Sequence, residues 1–223
     1  MKISIRTLSL AGVTAFTLLS TINQGAAQTT VNVDPGSPWI GYMNVFNLPA
    51  DGGAYQFGGS WGTADLRAAF SGNTLTLAPC TNVWETTDTY WVKADGVSPN
   101  KQMDANMYVQ NDALAGQTVT FLGGTVANTL SGQYTVDAFI KDFNSSYSLV
   151  GSSTVQLIPG QFFDFSLATQ AGDHIQYGFE MIGPDANPFT AGSLGFVQIV
   201  PEPSTLALVG IGLAAPLFIR RRR

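Results

Sequence analysis

Through the middle of the chain apolar residues return at every second position. In 102–109, Met103, Ala105, Met107 and Val109 face one way while Asp104, Asn106 and Tyr108 face the other. In 134–142, Val136, Ala138 and Ile140 alternate with Asp137, Phe139 and Lys141. In 174–182, Ile175, Tyr177, Phe179 and Met181 alternate with His174, Gln176 and Glu180. Period two is the mark of a strand with one face on a core, and no window carries a 3.6-residue stripe. Further strands are predicted at 39–48, 64–70, 74–77, 90–92, 118–126, 148–158, 162–167 and 193–200. Between them fall turn signals such as Asp51-Gly52-Gly53, Ser71-Gly72-Asn73 and Gly183-Pro184-Asp185. About eleven short strands at this spacing predict an all-β domain: one antiparallel two-sheet sandwich, jelly-roll-like.

The two ends break this pattern. Lys2 and Arg6 precede an uncharged, mostly apolar run from 8 to 22, and Gly25-Ala26-Ala27 then supplies small residues. This is the layout of a secretory signal peptide over 1–27, a signal helix cut between Ala27 and Gln28 by signal peptidase. At the other end Pro201-Glu202-Pro203 is followed by a charge-free run, 204–219, and then by Arg220, Arg221, Arg222 and Arg223. As a helix the run would reach about 24 Å at ~1.5 Å per residue. A hydrocarbon core is about 30 Å thick, so the flanks must complete the crossing of this short transmembrane helix. The arginines can snorkel to headgroups and hold the C-terminus on the cytoplasmic side. The domain organisation is therefore 1–27 signal peptide, 28–199 β-sandwich and 200–223 membrane-directed tail.

Setting the ends aside changes the charge. The chain is −5 overall, but the middle holds four basic against fourteen acidic side chains, a net of −10. Such a surface repels phosphate backbones, which excludes nucleic acid as a partner. Cys80 is the only cysteine, so no intrachain disulfide can form, and a buried, inert thiol is expected.

Val200-Pro201-Glu202-Pro203-Ser204, the apolar run and the terminal arginines together resemble the PEP-CTERM sorting signal of exported bacterial proteins. The resemblance covers about a tenth of the chain. It implies processing by a membrane-embedded exosortase, transient anchoring in the inner membrane, and delivery to the cell surface or extracellular matrix. The strings 39–46, 61–66 and 103–106 also resemble a group of PEP-CTERM proteins without an assigned activity. That second likeness implies a surface β-domain and brings no functional residues with it.

Chemistry is thinly marked. His174 is the single histidine, no Gly-x-Ser-x-Gly elbow occurs, and one histidine with one cysteine cannot build a zinc site. A glycosidase would need only two carboxylates, and Glu85 and Glu180 are available, yet neither stands in a catalytic string. No catalytic, cofactor or metal residues are assigned, and the domain is expected to be non-enzymatic. Calcium is the one ion with some support. Asp104-Ala105-Asn106 puts two oxygen ligands on one strand face, and Asp34, Asp95 or Asp185 could join from loops. Four tryptophans and several tyrosines gather in the first third of the domain. Trp61, between glycines and serine, and Trp84, in a polar run, are the candidates for stacking on sugar rings. The expected function is a structural or adhesive role at the surface. The alternatives are a carbohydrate-binding module acting on exopolysaccharide, then a polysaccharide hydrolase.

Overall fold

In the computed structural model, residues 27–202 are described. The expected signal helix and membrane helix, with Pro203 and Arg220 to Arg223, lie outside the described residues. Among the described residues no helix is long and apolar enough to cross a membrane.

The described chain forms two six-stranded sheets. The first contains β1 (Gln28–Asn32), β4 (Ala68–Ser71), β5 (Thr74–Leu77), β7 (Thr118–Asn128), β10 (Phe162–Ala168) and β12 (Val197–Val200). The second contains β2 (Ile40–Asn47), β3 (Tyr55–Trp61), β6 (Lys101–Gln110), β8 (Thr135–Phe143), β9 (Leu149–Gln156) and β11 (His174–Pro184), in the order β3-β2-β6-β11-β8-β9. In the first sheet β7 is the hub. β10 runs along one edge of it, and β1 and then β12 lie end to end along the other.

The alternation read from the sequence sets the layers. Inward residues of both sheets share one core, including Leu75, Val119, Phe163 and Ile199 from the first and Met107, Ile140, Ile175 and Phe179 from the second. Phe121 sits at its centre, edge-on to Phe163 and to Tyr177 with 5.3 Å between ring centroids in each case. A smaller cluster of Met43, Val45, Leu66, Cys80 and Met103 closes the far end under the long connection between β5 and β6. Burial pushes the Cys80 thiol up to about 11, as an inert core cysteine requires.

Three features depart from expectation. The sandwich is not wholly antiparallel, because β1 pairs with β7 in parallel. A segment entering ahead of the first hairpin is free to take either direction, and this one joins an edge of β7 that β12 leaves open. β1 and β3 carry no predicted strand; Gln-Thr-Thr-Val-Asn has no apolar alternation, and β3 is interrupted by Gly58-Gly59. Conversely 64–67 is a turn with Arg67 at φ 54°, and 90–92 is a turn with a single bridge from Val92 to Pro99.

Candidate ligand-binding groove

The outward face of the second sheet is where sequence and structure differ most usefully. Polar residues alternating with core residues read as a solvated surface, yet Asp104 and Asn106 are 9% and 5% exposed. The register explains this. Ser60, Tyr42, Asn106, Glu180, Asp137 and Gln156 stand opposite one another on β3, β2, β6, β11, β8 and β9, a polar row across the whole sheet. The next row places Tyr108, Gly178 and Phe139 side by side. A Cβ on Gly178 would lie 2.2 Å from the Met107 carbonyl oxygen and 2.9 Å from the Tyr108 Cβ, so the sheet can close here only over glycine.

Lys141 belongs to the row beyond Phe139 and reaches back across it. Its Nζ lies 4.2 Å from the Phe139 ring centroid and donates to Glu180 Oε1 at 2.8 Å and to Asn106 Oδ1 at 3.0 Å. Asn106 Nδ2 donates to Asp104 Oδ1 at 2.6 Å, and Asn44 Nδ2 to Asp104 Oδ2 at 3.0 Å. Two carboxylates, one ammonium and two amides are thus bonded into one cluster, which is how buried polar groups avoid their desolvation cost. Burial, and then the charge of Glu180, push the Asp104 carboxyl up to about 6 against the pull of Asn44 and Lys141. Burial and Glu180 also raise Asp137.

Beside this cluster opens a groove of about 500 Å³. Its rings are Tyr42, Tyr108, Phe143 and Tyr147; its polar groups are Asn44, Ser60, Asn106, Gln110, Gln176 and Lys141. Several of these are held in place. Gln176 Nε2 donates to Gln110 Oε1 at 3.1 Å, and Gln110 Nε2 to the Tyr147 hydroxyl at 3.2 Å. Tyr147 stacks on His174 with centroids 4.3 Å apart and 11° between planes, and His174 Nδ1 lies 2.8 Å from Asp112 Oδ2. Tyr147 is presented from a β8–β9 turn in which Asn144 Oδ1 accepts the Ser146 and Ser148 N–H groups. Its φ of 56° is a rare setting for a bulky side chain, maintained here at a ring that is 56% exposed.

This arrangement suits an uncharged, hydroxyl-rich ligand. Flat rings offer stacking faces, amides offer donors and acceptors, and no carboxylate lines the groove. Asp104 and Glu180 lie beneath, committed to Asn44, Asn106 and Lys141.

The residues singled out from sequence lie elsewhere. Trp61 points inward, opposite Gly41, and packs on the smaller core cluster. Trp84 is half-buried, and its Nε1 is buried without a hydrogen-bond partner among the described residues. Neither lines the groove. Glu85 folds its own turn by accepting from Thr87. Asp104 and Asn106 do share a face, but each binds the other. Asp34 and Asp95 cap turns through Gly36 and through Val97 and Ser98, and Asp185 is buried. Among the described residues no group of three or more His, Cys, Asp or Glu side chains is placed to hold a metal ion. Tyr42 belongs to the aromatic group expected from sequence, whereas Tyr108, Gln110, Tyr147 and Gln176 carry no such expectation. Tyrosines at the polar positions of the alternation were the available signal, since such rings seldom stand on a strand face without packing on something.

At the two ends of the described chain, the Ala27 carbonyl accepts the Thr118 N–H at 2.8 Å and Gln28 opens β1. Val200 closes β12, and the backbone of Glu202 is bracketed by Asn32, whose Oδ1 accepts its N–H at 3.1 Å and whose Nδ2 donates to its carbonyl at 3.5 Å. Comparison with known proteins adds one match. No curated protein and no solved structure matches the chain. Residues 200–223 match the PEP-CTERM protein-sorting motif, a match confined to the tail. The chain therefore carries a PEP-CTERM sorting motif, a signal for export toward the cell surface that is handled by a membrane-embedded exosortase.

Proposed function

We propose that the sandwich is a non-enzymatic adhesive domain that binds neutral extracellular polysaccharide through the groove on its second sheet. In this reading the protein is freed of its signal peptide, anchored transiently in the inner membrane, and then retained at the surface or in the matrix by its glycan. A jelly-roll-like sandwich suits the task, because one sheet can be given over to ligand while the other backs the core. The observation that carries the reading is the groove's lining: rings and bonded amides, with the carboxylates withheld beneath. The acidic exterior disfavours anionic polymers. No metal or cofactor is required for such binding.

Affinity electrophoresis of the purified protein through neutral and uronic-acid polysaccharides tests this. Retardation is expected with a neutral polymer. Tyr42→Ala or Tyr147→Ala should each weaken it by about tenfold, the equivalent of ~1.4 kcal/mol for one lost stacking face. Unretarded migration in every polymer would overturn the proposal. Release of reducing sugar that Glu180→Gln abolishes would instead make the domain a hydrolase.

A further inference from the structure

Lys141, Asn106 and Glu180 come from three neighbouring strands, β8, β6 and β11, and their functional groups converge. Nζ is 2.8 Å from the Glu180 carboxylate and 3.0 Å from the Asn106 amide oxygen. The other end of that amide, Nδ2, is 2.6 Å from the Asp104 carboxyl. The site is largely closed to water, with the Lys141 and Glu180 side chains each 17% exposed and Phe139 fully buried beneath Nζ. A primary amine, a carboxamide, a carboxylate on the amine and a carboxyl on the leaving nitrogen are the complete set for amide exchange. An ordinary surface ion pair needs no such company. The carboxyl on Nδ2 is also the one that burial holds toward its protonated form.

We propose that Lys141 and Asn106 condense into an isopeptide bond that staples β8 to β6 across β11, with Glu180 as base and Asp104 as acid. Nζ passes a proton to Glu180, and its lone pair attacks Cγ of Asn106. The N–C bond forms as the carbonyl pair moves onto Oδ1. Asp104 then protonates Nδ2, the Cγ–Nδ2 bond breaks, and ammonia leaves. Asp104 recovers a proton from the new amide nitrogen, and Glu180 keeps the one from Lys141. The ion pair becomes a neutral amide and a neutral carboxyl, and no oxidant or cofactor is consumed. A covalent tie of this kind serves an exported protein whose single cysteine rules out an internal disulfide. Lys141 and Asn106 also line the groove, so the bond would sit in its wall, but its formation needs no glycan.

Tryptic peptide mapping of the purified full chain by mass spectrometry is the test. Trypsin does not cut after an acylated lysine. The expected result is that cleavage after Lys141 is absent, and that the fragment beginning at Gln102 runs past it and is lighter than its sequence by one ammonia. Lys141→Arg and Asn106→Ala should each restore cleavage after residue 141, and Glu180→Gln should leave the two side chains unjoined. Cyclisation of Gln102, which trypsin leaves at the head of this fragment, also sheds one ammonia, but it leaves cleavage after Lys141 intact, so the signature is the loss together with the missed cleavage. Should a variant fail to fold, the wild-type map decides alone: a fragment 102–141 ending at Lys141, with or without its N-terminal Gln102 cyclised, overturns the proposal.

Discussion

Asp185 has the least compensated burial of any charged residue described. It is 2% exposed, and neither carboxylate oxygen has a side-chain partner among the described residues, although its own N–H is fixed to the Lys101 carbonyl at 3.0 Å. Burial raises its carboxyl from 3.8 to about 7, and the charge it would carry bears on Tyr134 and Cys80 close by. The folded chain therefore holds a proton that the unfolded chain gives up above pH ~4. Stability contributed by this group is full below that value and falls as pH rises toward about 7, where the native state must bury a charge. Asp185→Asn should leave the melting temperature near pH 4 almost unchanged. Above pH 7 it should gain about 1–3 kcal/mol, the scale of one uncompensated buried polar group. Thermal unfolding of both proteins from pH 4 to 8 checks this, and parallel curves would rule it out. Nothing in Gly183-Pro184-Asp185 announces such burial, because in sequence the tripeptide is an ordinary turn signal.

At the scale of elements, β11 does the most. It lies between β6 and β8 at the centre of the second sheet, and its Gly178 lets Tyr108 and Phe139 approach from either side. Gly178→Ala would drive a methyl group into the Met107 carbonyl and the Tyr108 backbone. A loss of about 1–3 kcal/mol is expected, as for overpacking in a core, measurable as a lower denaturant midpoint. The same strand shows what sequence could and could not say. Its alternation placed Ile175, Tyr177, Phe179 and Met181 on the core, and all four are there. What the opposite positions meet is not given by alternation, which assigns residues to a face without saying what that face packs on. Register converts those positions into a row with Asn106 and Asp137, and register depends on partners far along the chain. For the same reason β3 went unseen: its hold on the sheet comes from β2 rather than from its own glycine-broken pattern. The sorting motif of the tail, whose signal is local, was legible from residues 200–223 alone.

Across the whole molecule, the beginning and end of the sandwich meet at one place. β1 and β12 share an edge of β7, and Asn32, the last residue of β1, grips the backbone of Glu202 inside the sorting motif. The Asn32 carboxamide mimics a paired strand residue, accepting one backbone N–H and donating to one carbonyl, so the chain beyond Val200 stays registered on the sheet for two residues more. This hold lies between the folded cargo and the segment that the exosortase must recognise. A net hydrogen bond is worth about 1 kcal/mol, so removing two should raise the frequency of local opening by about tenfold or more while leaving the core untouched. Asn32→Ala should accordingly speed amide hydrogen exchange at Glu202 by that factor, with protection in β7 and β11 unchanged. If opening limits exosortase access, the same variant in an exosortase-bearing host should lose its tail sooner than wild type in a pulse-chase. Faster exchange with an unaltered processing rate would place recognition wholly beyond Glu202, in the membrane-directed run.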